Sequence, residues 1–303
     1  MSVLYLLERF RLPILNEFML LITQLGEETA FLAVALIVFW CVDKKKGYFI
    51  MSVGFIGTMA NNVLKLICRV PRPWVLDKNF TILEQAREAA AGYSFPSGHS
   101  QTAVGTFGAL ALTAKKKWVK ILSVIIAILV PFSRMYIGVH TPWDVMAGSF
   151  LSLLLIFLLR PVVLGNGERA MKWLIAGMLG LSIGFLAYVE LFPFPEDMDT
   201  HNLASGVKNA YTMIGCLSGV AVVYLAEKKY VNFTTEAIWW AQVLKAVLGL
   251  GIVLLVKEGL RAPLEFIFAG HMAARGVRYF LVVLVAGLLW PMTFRRFSKF
   301  GEM

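Results

Sequence analysis

Charge is scarce in this sequence. Only 16% of the 303 residues are Asp, Glu, Lys or Arg, whereas 58% are hydrophobic, well above the roughly 45–50% apolar usage of a soluble domain. That balance excludes a water-soluble globule, and it excludes a disordered chain, which needs low hydrophobicity to stay solvated. Cysteine is sparse as well: Cys41, Cys68 and Cys216 lie in or beside apolar runs and form no CxxC or Cys/His cluster. Neither a disulfide framework nor a zinc site follows from them. Alternating strands of about ten residues are missing, which rules out a membrane β-barrel. No cleavable signal peptide is expected, because Glu8, Arg9 and Arg11 interrupt the apolar start and no small-residue cleavage site follows.

What is present is a series of apolar runs, each near the roughly 17–25 residues that carry a helix across a bilayer. Nine candidate spans can be drawn, at 26–42, 47–68, 97–114, 118–138, 142–159, 173–192, 207–226, 238–256 and 279–294, and the shortness of the first and last leaves eight spans or a re-entrant piece as the alternative. The fold class expected is all-α, a polytopic membrane helical bundle of about nine transmembrane helices. Residues 1–25 read as an amphipathic segment at the interface, broken at Pro13. Residues 26–160 hold every polar motif, and 161–303 read as four accessory spans. The pairs Gly180-x3-Gly184 and Gly215-x3-Gly219 read as sites of close helix packing.

Charge assigns the two faces. The loops after spans one, three, five and seven, with the C-terminal segment, carry 15 cations against five anions, a net +10 that equals the charge of the whole chain. Short loops rich in Lys and Arg are retained in the cytoplasm, so that face is expected to be cytoplasmic and the other extracytoplasmic. The excess of cations then reflects topology and contact with anionic lipid, and nucleic acid is not needed to explain it.

Ionisable residues in or beside spans are costly and mark function by default. Here they fall in three blocks: Lys65-x6-Arg72-Pro73 ends span two, Pro96-Ser97-Gly98-His99 opens span three, and Ser133-Arg134-x5-His140-x3-Asp144 joins spans four and five. Alternation of the spans alone puts all three on the extracytoplasmic face. Lys65, Arg72 and Arg134 can neutralise a phosphoryl group, the arginines in bidentate fashion. Ser97 and Gly98 sit where a helix begins, offering a hydroxyl and free N–H groups to the same anion. A neutral His140 can attack phosphorus if its other nitrogen keeps a proton, which Asp144 can hold. His99 is then free to protonate the departing alkoxide and later to activate water. Asp144 taken alone also fits a plain helix cap after Thr141-Pro142, and a lone Lys65 would fit snorkelling. Arg69, Arg87, His201 and His271 fall in no block and read as loop or interface residues.

Together the three blocks resemble the type 2 phosphatidic acid phosphatase superfamily, which includes lipid phosphate phosphatases, undecaprenyl pyrophosphate phosphatases, glucose-6-phosphatase and vanadium haloperoxidases. The resemblance covers Lys65 to Asp144, about a quarter of the chain. It implies a helical core like that of the histidine acid phosphatases and a phosphohistidine mechanism without a metal or other cofactor. By the same resemblance His140 is the nucleophile, Asp144 its orienting partner, His99 the general acid, and Lys65, Arg72, Ser97, Gly98 and Arg134 the phosphate-binding set. The extra spans, and the stretch from Gly26 to Asp43, look more like the sphingosine-1-phosphate phosphatase and glucose-6-phosphatase branches, although those tend to carry Thr where Gly98 stands.

The leading expectation is an integral-membrane phosphohydrolase acting on a lipid phosphate monoester at the outer leaflet of a bacterial plasma membrane. An isoprenyl pyrophosphate phosphatase would use the same residues. A transporter or scaffold that only binds anionic headgroups would use the cations but needs no nucleophile. Membrane lipids and the lipid phosphate are the partners implied, with no nucleic acid and no obligate protein partner. Metal is not expected, because Asp144 is the single carboxylate in the three blocks and a hard divalent cation wants several oxygen ligands.

Overall fold

The computed structural model describes residues 1–87, 90, 92–165, 167–196 and 198–298; Lys299 and Glu302, which enter the charge tally, lie outside them. Among the described residues every regular element is helical, as expected. In chain order they are α1 (Ser2–Arg9), α2 (Pro13–Gln24), α3 (Glu28–Cys41), α4 (Lys44–Cys68), α5 (Pro73–Leu76), α6 (Gly98–Thr113), α7 (Lys117–Tyr136), α8 (Pro142–Leu164), α9 (Glu168–Leu191), α10 (Thr200–Ala226), α11 (Trp239–Gly259), α12 (Arg261–Ile267), α13 (Ala273–Leu284) and α14 (Phe294–Ser298).

Seven helical stretches among the described residues are long and apolar enough to cross a bilayer, or eight if α2 and α3, bent by 53° across their break, count as one broken span. Of the nine candidates, α6 falls outside this count, and so does 26–42 unless α2 and α3 are taken together. The 16 residues of α6 rise about 24 Å and fall just under the roughly 17 residues of the shortest crossing helices.

The chain forms two compact units. One is built from Met1–Val34, Phe49–Pro161 and Phe194–Gly206, the other from Ala35–Tyr48, Val162–Pro193 and the chain from Val207 on. In the first unit α6 is the central helix, buried at Ser100, Gln101, Ala103, Val104, Gly105, Thr106, Phe107 and Ala109. Burial on every side explains why its apolar residues form no stripe. On α8, residues Gly148, Ser152 and Ile156 recur every fourth position and form one face against α6. A Cβ at Gly148 would strike the Ser97 carbonyl, the Ser152 hydroxyl donates to the Gln101 carbonyl at 2.5 Å, and Ile156 packs on Gly108. On α4, Val53, Gly57 and Asn61 meet Gly105, Gln101 and Gly98 in the same fashion. Small residues thus let three backbones approach closely, which supplies van der Waals contact where lipid offers no hydrophobic drive.

The amino-terminal helices dock on this unit as well. Pro13 occupies the first turn of α2, where its missing N–H costs nothing. Arg11 donates to the carbonyls of Tyr136 at 3.1 Å and Thr81 at 2.9 Å, and Tyr5 bonds Asp77 at 2.8 Å.

The second unit closes around aromatic residues. Phe39, Tyr48, Phe233, Phe294 and Trp290 stack edge to face, and the indoles of Trp40 and Trp290 donate to the carbonyls of Ala286 and Lys245. Gly215 lies against the Gly276 carbonyl, and Gly219 against Val283, as the spacing suggested. The pair Gly180 and Gly184 does not pack: beyond the local turn of their own helix, no described atom lies within 4 Å of where either Cβ would stand. The buried stripe of α9 runs instead through Met171, Ile175, Met178, Ser182, Phe185 and Val189, leaving both glycines on the opposite face.

Gly148→Ala should therefore lower stability by about 1–3 kcal/mol, the usual cost of overpacking. Gly180→Ala should leave it unchanged or slightly raised. Thermal unfolding of the purified variants in one detergent measures both, and equal melting temperatures would contradict the close α6–α8 crossing.

Candidate functional site

Four chain segments of the first unit meet at the amino terminus of α6. Lys65 occupies the last turn of α4, and its ammonium donates to the Tyr93 carbonyl. Arg72 stands just before α5 and is 6% exposed. Its Nε donates to the Gly92 carbonyl at 3.0 Å, and its Nη1 to the Val139 carbonyl at 3.0 Å and to His140 Nε2 at 2.9 Å.

That last contact determines the imidazole tautomer. A guanidinium has donors and no acceptor, so His140 Nε2 must accept, and the ring proton resides on Nδ1. Nδ1 faces Ser94 Oγ at 3.4 Å and Asp144 Oδ2 at 3.6 Å. The Asp144 distance exceeds a hydrogen bond; the Ser94 hydroxyl fills the gap, donating to Asp144 Oδ2 at 2.6 Å. Burial, with the positive charges of Arg72, Arg134 and Lys65, holds the His140 imidazole well below its ordinary pKa. The ring is neutral, with its Nε2 lone pair held by Arg72. Asp144 also serves as a cap: its Oδ2 accepts from the Thr141 N–H at 2.7 Å, while Thr141 Oγ1 accepts from the Asp144 N–H at 3.3 Å. Capping and facing His140 coexist in one side chain.

Ser97 caps α6, its Oγ accepting from the Ser100 hydroxyl at 2.9 Å and the Ser100 N–H at 3.4 Å. The Ser97 side chain is thereby committed to the helix start. Gly98 has open space, since a Cβ there would meet only Asn61 Oδ1 at 3.7 Å. His99 Nε2, Arg134 Nε and Asn61 Nδ2 are buried polar atoms without a hydrogen-bond partner, and buried groups of this kind are ordinarily satisfied. Arg134, 1% exposed, is held by Thr23 Oγ1 of α2 at 2.8 Å. The site therefore combines buried cations, a neutral imidazole and orphaned donors, which is the chemistry of an anion-binding pocket.

Beside Arg72 opens a cleft of about 690 Å³ lined by Trp74, Arg87, Tyr93, Asp199, His201 and Asn202 among others. Arg87 is engaged by Glu84 at 2.6 Å, in keeping with a solvated loop charge, whereas His201 borders this cleft. All eight residues singled out from the sequence lie in the first unit, with Arg72, His140 and Asp144 in direct or one-residue-mediated contact. Ser94, Thr23 and Asn61 were missed. Asn61 carried a signal, lying one helical turn before Lys65 on the same face of α4; Ser94 and Thr23 carried none.

Residues 46–168 match the profile of the PAP2 superfamily, and residues 211–302 match that of the PAP2 superfamily phosphatase, transmembrane extension. The first match contains all three polar blocks, and the second covers spans beyond them. The chain is similar to an undecaprenyl-diphosphatase of Sulfolobus acidocaldarius, 33% identical over 145 residues, 48% of this chain and 68% of the relative. It is similar also to phosphatidylglycerophosphatase B of Bacillus subtilis, 34% identical over 163 residues, 50% of this chain and 76% of the relative. Among solved structures, a transmembrane PAP2 type phosphatidylglycerolphosphate phosphatase from Bacillus subtilis shares 30% identity at a TM-score of 0.47, over 55% of this chain and 86% of that one.

In ¹⁵N spectra of the histidine-labelled protein, His140 should show a protonated Nδ1 and a bare Nε2 near neutral pH. Asp144→Asn and Ser94→Ala should each shift the population toward the Nε2–H form, since they remove acceptors for the Nδ1 proton. An Nε2–H tautomer in the unaltered protein would overturn the assignment.

Proposed function

This chain belongs to the PAP2 superfamily as an integral multi-pass membrane phosphatase, and from that premise we propose that it removes phosphate from a lipid phosphate monoester through a phosphohistidine at His140. The observation that carries this reading is the Arg72 contact to His140 Nε2, which leaves Nδ1 protonated against Ser94 and Asp144. An arriving phosphoryl group draws the Arg72 donor onto its own oxygens, together with Lys65 and Arg134, and frees the Nε2 lone pair. Nε2 then attacks phosphorus as the ester P–O bond breaks, and His99, protonated once the phosphate anion lies beside it, gives that proton to the departing alkoxide. In the second half water attacks the phosphoryl group, His99 accepts its proton, the N–P bond breaks and inorganic phosphate leaves. Gly98 lets the backbone come close to the oxygens, and the Ser97 cap holds the α6 amino terminus toward them. Residues 26–160 form the catalytic core in this reading, 1–25 an interfacial segment and 161–303 an accessory membrane region.

A second substrate is favoured by one of the relatives. The Sulfolobus protein is named an undecaprenyl-diphosphatase, and a terminal phosphoryl of an isoprenyl diphosphate presents the same three oxygens to the site. Purified protein in mixed micelles, given phosphatidate, sphingosine 1-phosphate, undecaprenyl diphosphate or a soluble sugar phosphate in the presence of EDTA, separates these. Phosphate release should survive the chelator, because the cations do the work of a metal, and orthovanadate should inhibit. His140→Ala should lower turnover by on the order of 10⁴ or more. Near-normal turnover by that variant, or total loss on chelation restored by magnesium, would defeat the mechanism.

The reading also places the chemistry on the extracytoplasmic face of a bacterial plasma membrane. Lys115, Lys116, Lys117 and Lys120 cluster at the turn between α6 and α7, away from the α6 amino terminus and the α7 carboxyl terminus that carry the site. Lys-rich turns are retained in the cytoplasm. With the native cysteines removed, Asn79→Cys should react with a membrane-impermeant maleimide in intact cells, while Lys116→Cys should stay protected until the membrane is opened. The reverse pattern would move the site to the cytoplasmic leaflet.

A further inference from the structure

A second cationic cavity lies in the unit that contains no part of the His140 site. It has a volume of about 400 Å³ and gathers Lys208, Arg261, Arg275 and Arg278 with His271 and one carboxylate, Glu265. The residues come from the first third of α10, from α12, from the turn that follows it and from the first half of α13. Glu265 is already taken by Arg261 at 3.3 Å. Arg275 is fixed in place by neutral partners, its Nε donating to Thr212 Oγ1 at 2.6 Å and its guanidinium lying 5.0 Å from the Tyr279 ring centroid.

Arg278 is the decisive residue. It is 6% exposed, its Nε is buried without a hydrogen-bond partner, and no described carboxylate pairs with it. A buried guanidinium with an orphaned Nε, beside Arg275 and Lys208 and resting on the Tyr279 ring at 5.5 Å, is unfavourable unless an anion joins it. His271 adds a donor. Its Nδ1 accepts from the Ala273 N–H at 3.1 Å, which leaves Nε2 to carry the proton, and Tyr211 fixes the ring edge to face at 5.9 Å. Phe266, Ile267 and Met272 are exposed around the same elements, an apolar margin suited to acyl chains.

We infer that this cavity binds a phosphate group, held by Arg275 and Arg278 with Lys208 and His271 as further donors. Two arginines match the geometry of phosphate oxygens in bidentate fashion, and the apolar margin fits a phosphate carried on a lipid. The site shares no residue with the proposed catalytic centre and stands or falls apart from the proposed reaction.

Hydrogen–deuterium exchange of the full-length protein in nanodiscs tests it, because peptides spanning 261–275 report this cavity alone. Three preparations are compared: phosphatidylcholine discs, discs that also contain phosphatidylglycerol, and phosphatidylcholine discs with added inorganic phosphate. At ligand about ten times its Kd, exchange through local opening should slow by about tenfold. Slowing only with phosphatidylglycerol supports a lipid-borne phosphate; slowing with inorganic phosphate supports the free anion. The protection should disappear in Arg278→Gln and in Lys208→Gln, the latter an exposed position where folding is not at stake, and should persist in His140→Ala. Identical exchange in all three preparations, or protection retained in both variants, would overturn the inference.

Discussion

The hydrogen bond from the Ser97 N–H to the Asp144 carbonyl, at 2.9 Å, joins the start of α6 to the start of α8, and the rest of the site depends on that junction. It ties the Ser97-Gly98-His99 run, through backbone atoms alone, to the segment that carries His140 and Asp144. Gly148 is bare where it faces the Ser97 carbonyl, so the two backbones can close to this distance. A rotation of either helix by one residue, about 100°, would turn His99 or Asp144 out of the site. Helices spanning a membrane are rigid over such distances, and a few small residues at the crossing therefore control the geometry of the polar groups above it.

Electrostatics accounts for what the packing holds in place. Lys65, Arg72 and Arg134 converge in a low-dielectric region where charge is expensive, and the protein offers them mainly carbonyls, a hydroxyl and one imidazole nitrogen. Arg72 spends its donors on the carbonyls of Gly92 and Val139 and on His140, which orients it before any substrate arrives. The orphaned donors of Arg134 and Asn61, with the unpartnered His99 Nε2, remain for a ligand to satisfy. Preorganised donors of this kind are worth most where charge is transferred, because no solvent has to reorganise around them. Asp144 has a composite role, since the carboxylate that caps α8 also anchors Ser94 beside His140, so the local rule for starting a helix and the demand of the site are met by the same oxygen.

The second unit uses the same close-packing device for other ends. Gly215 and Gly219 admit α13 against α10, and the tryptophan donors tie α3 and α11 to the segment that follows α13. Its cation-rich cavity is built at the ends of these helices, where the chain turns and the backbone cannot follow the apolar spans. Cations thus gather at helix ends in both units, over an imidazole nucleophile in the proposed reaction and over a ring-bound donor in the phosphate cavity.

Much was legible from the sequence alone because it depends on local chemistry. Apolar run length gave an all-helical membrane chain, Ser97 and Thr141-Pro142 marked where α6 and α8 begin, and the three polar blocks held the candidate residues in order. Glycine spacing shows the limit: Gly180-x3-Gly184 and Gly215-x3-Gly219 read identically, yet only the second faces a neighbour. Which face a helix turns inward is set by contacts with residues far away in the chain. For the same reason the sequence could not show that Ser94 stands between His140 and Asp144, that Thr23 holds Arg134 across 111 positions, or that α6, with only 16 residues, fills the centre of its unit. Length, composition and capping are properties of neighbouring residues and were determined by the sequence directly. The tautomer of His140, the partners of each arginine and the orphaned donors arise from distances between separate helices, and these only the tertiary structure decided.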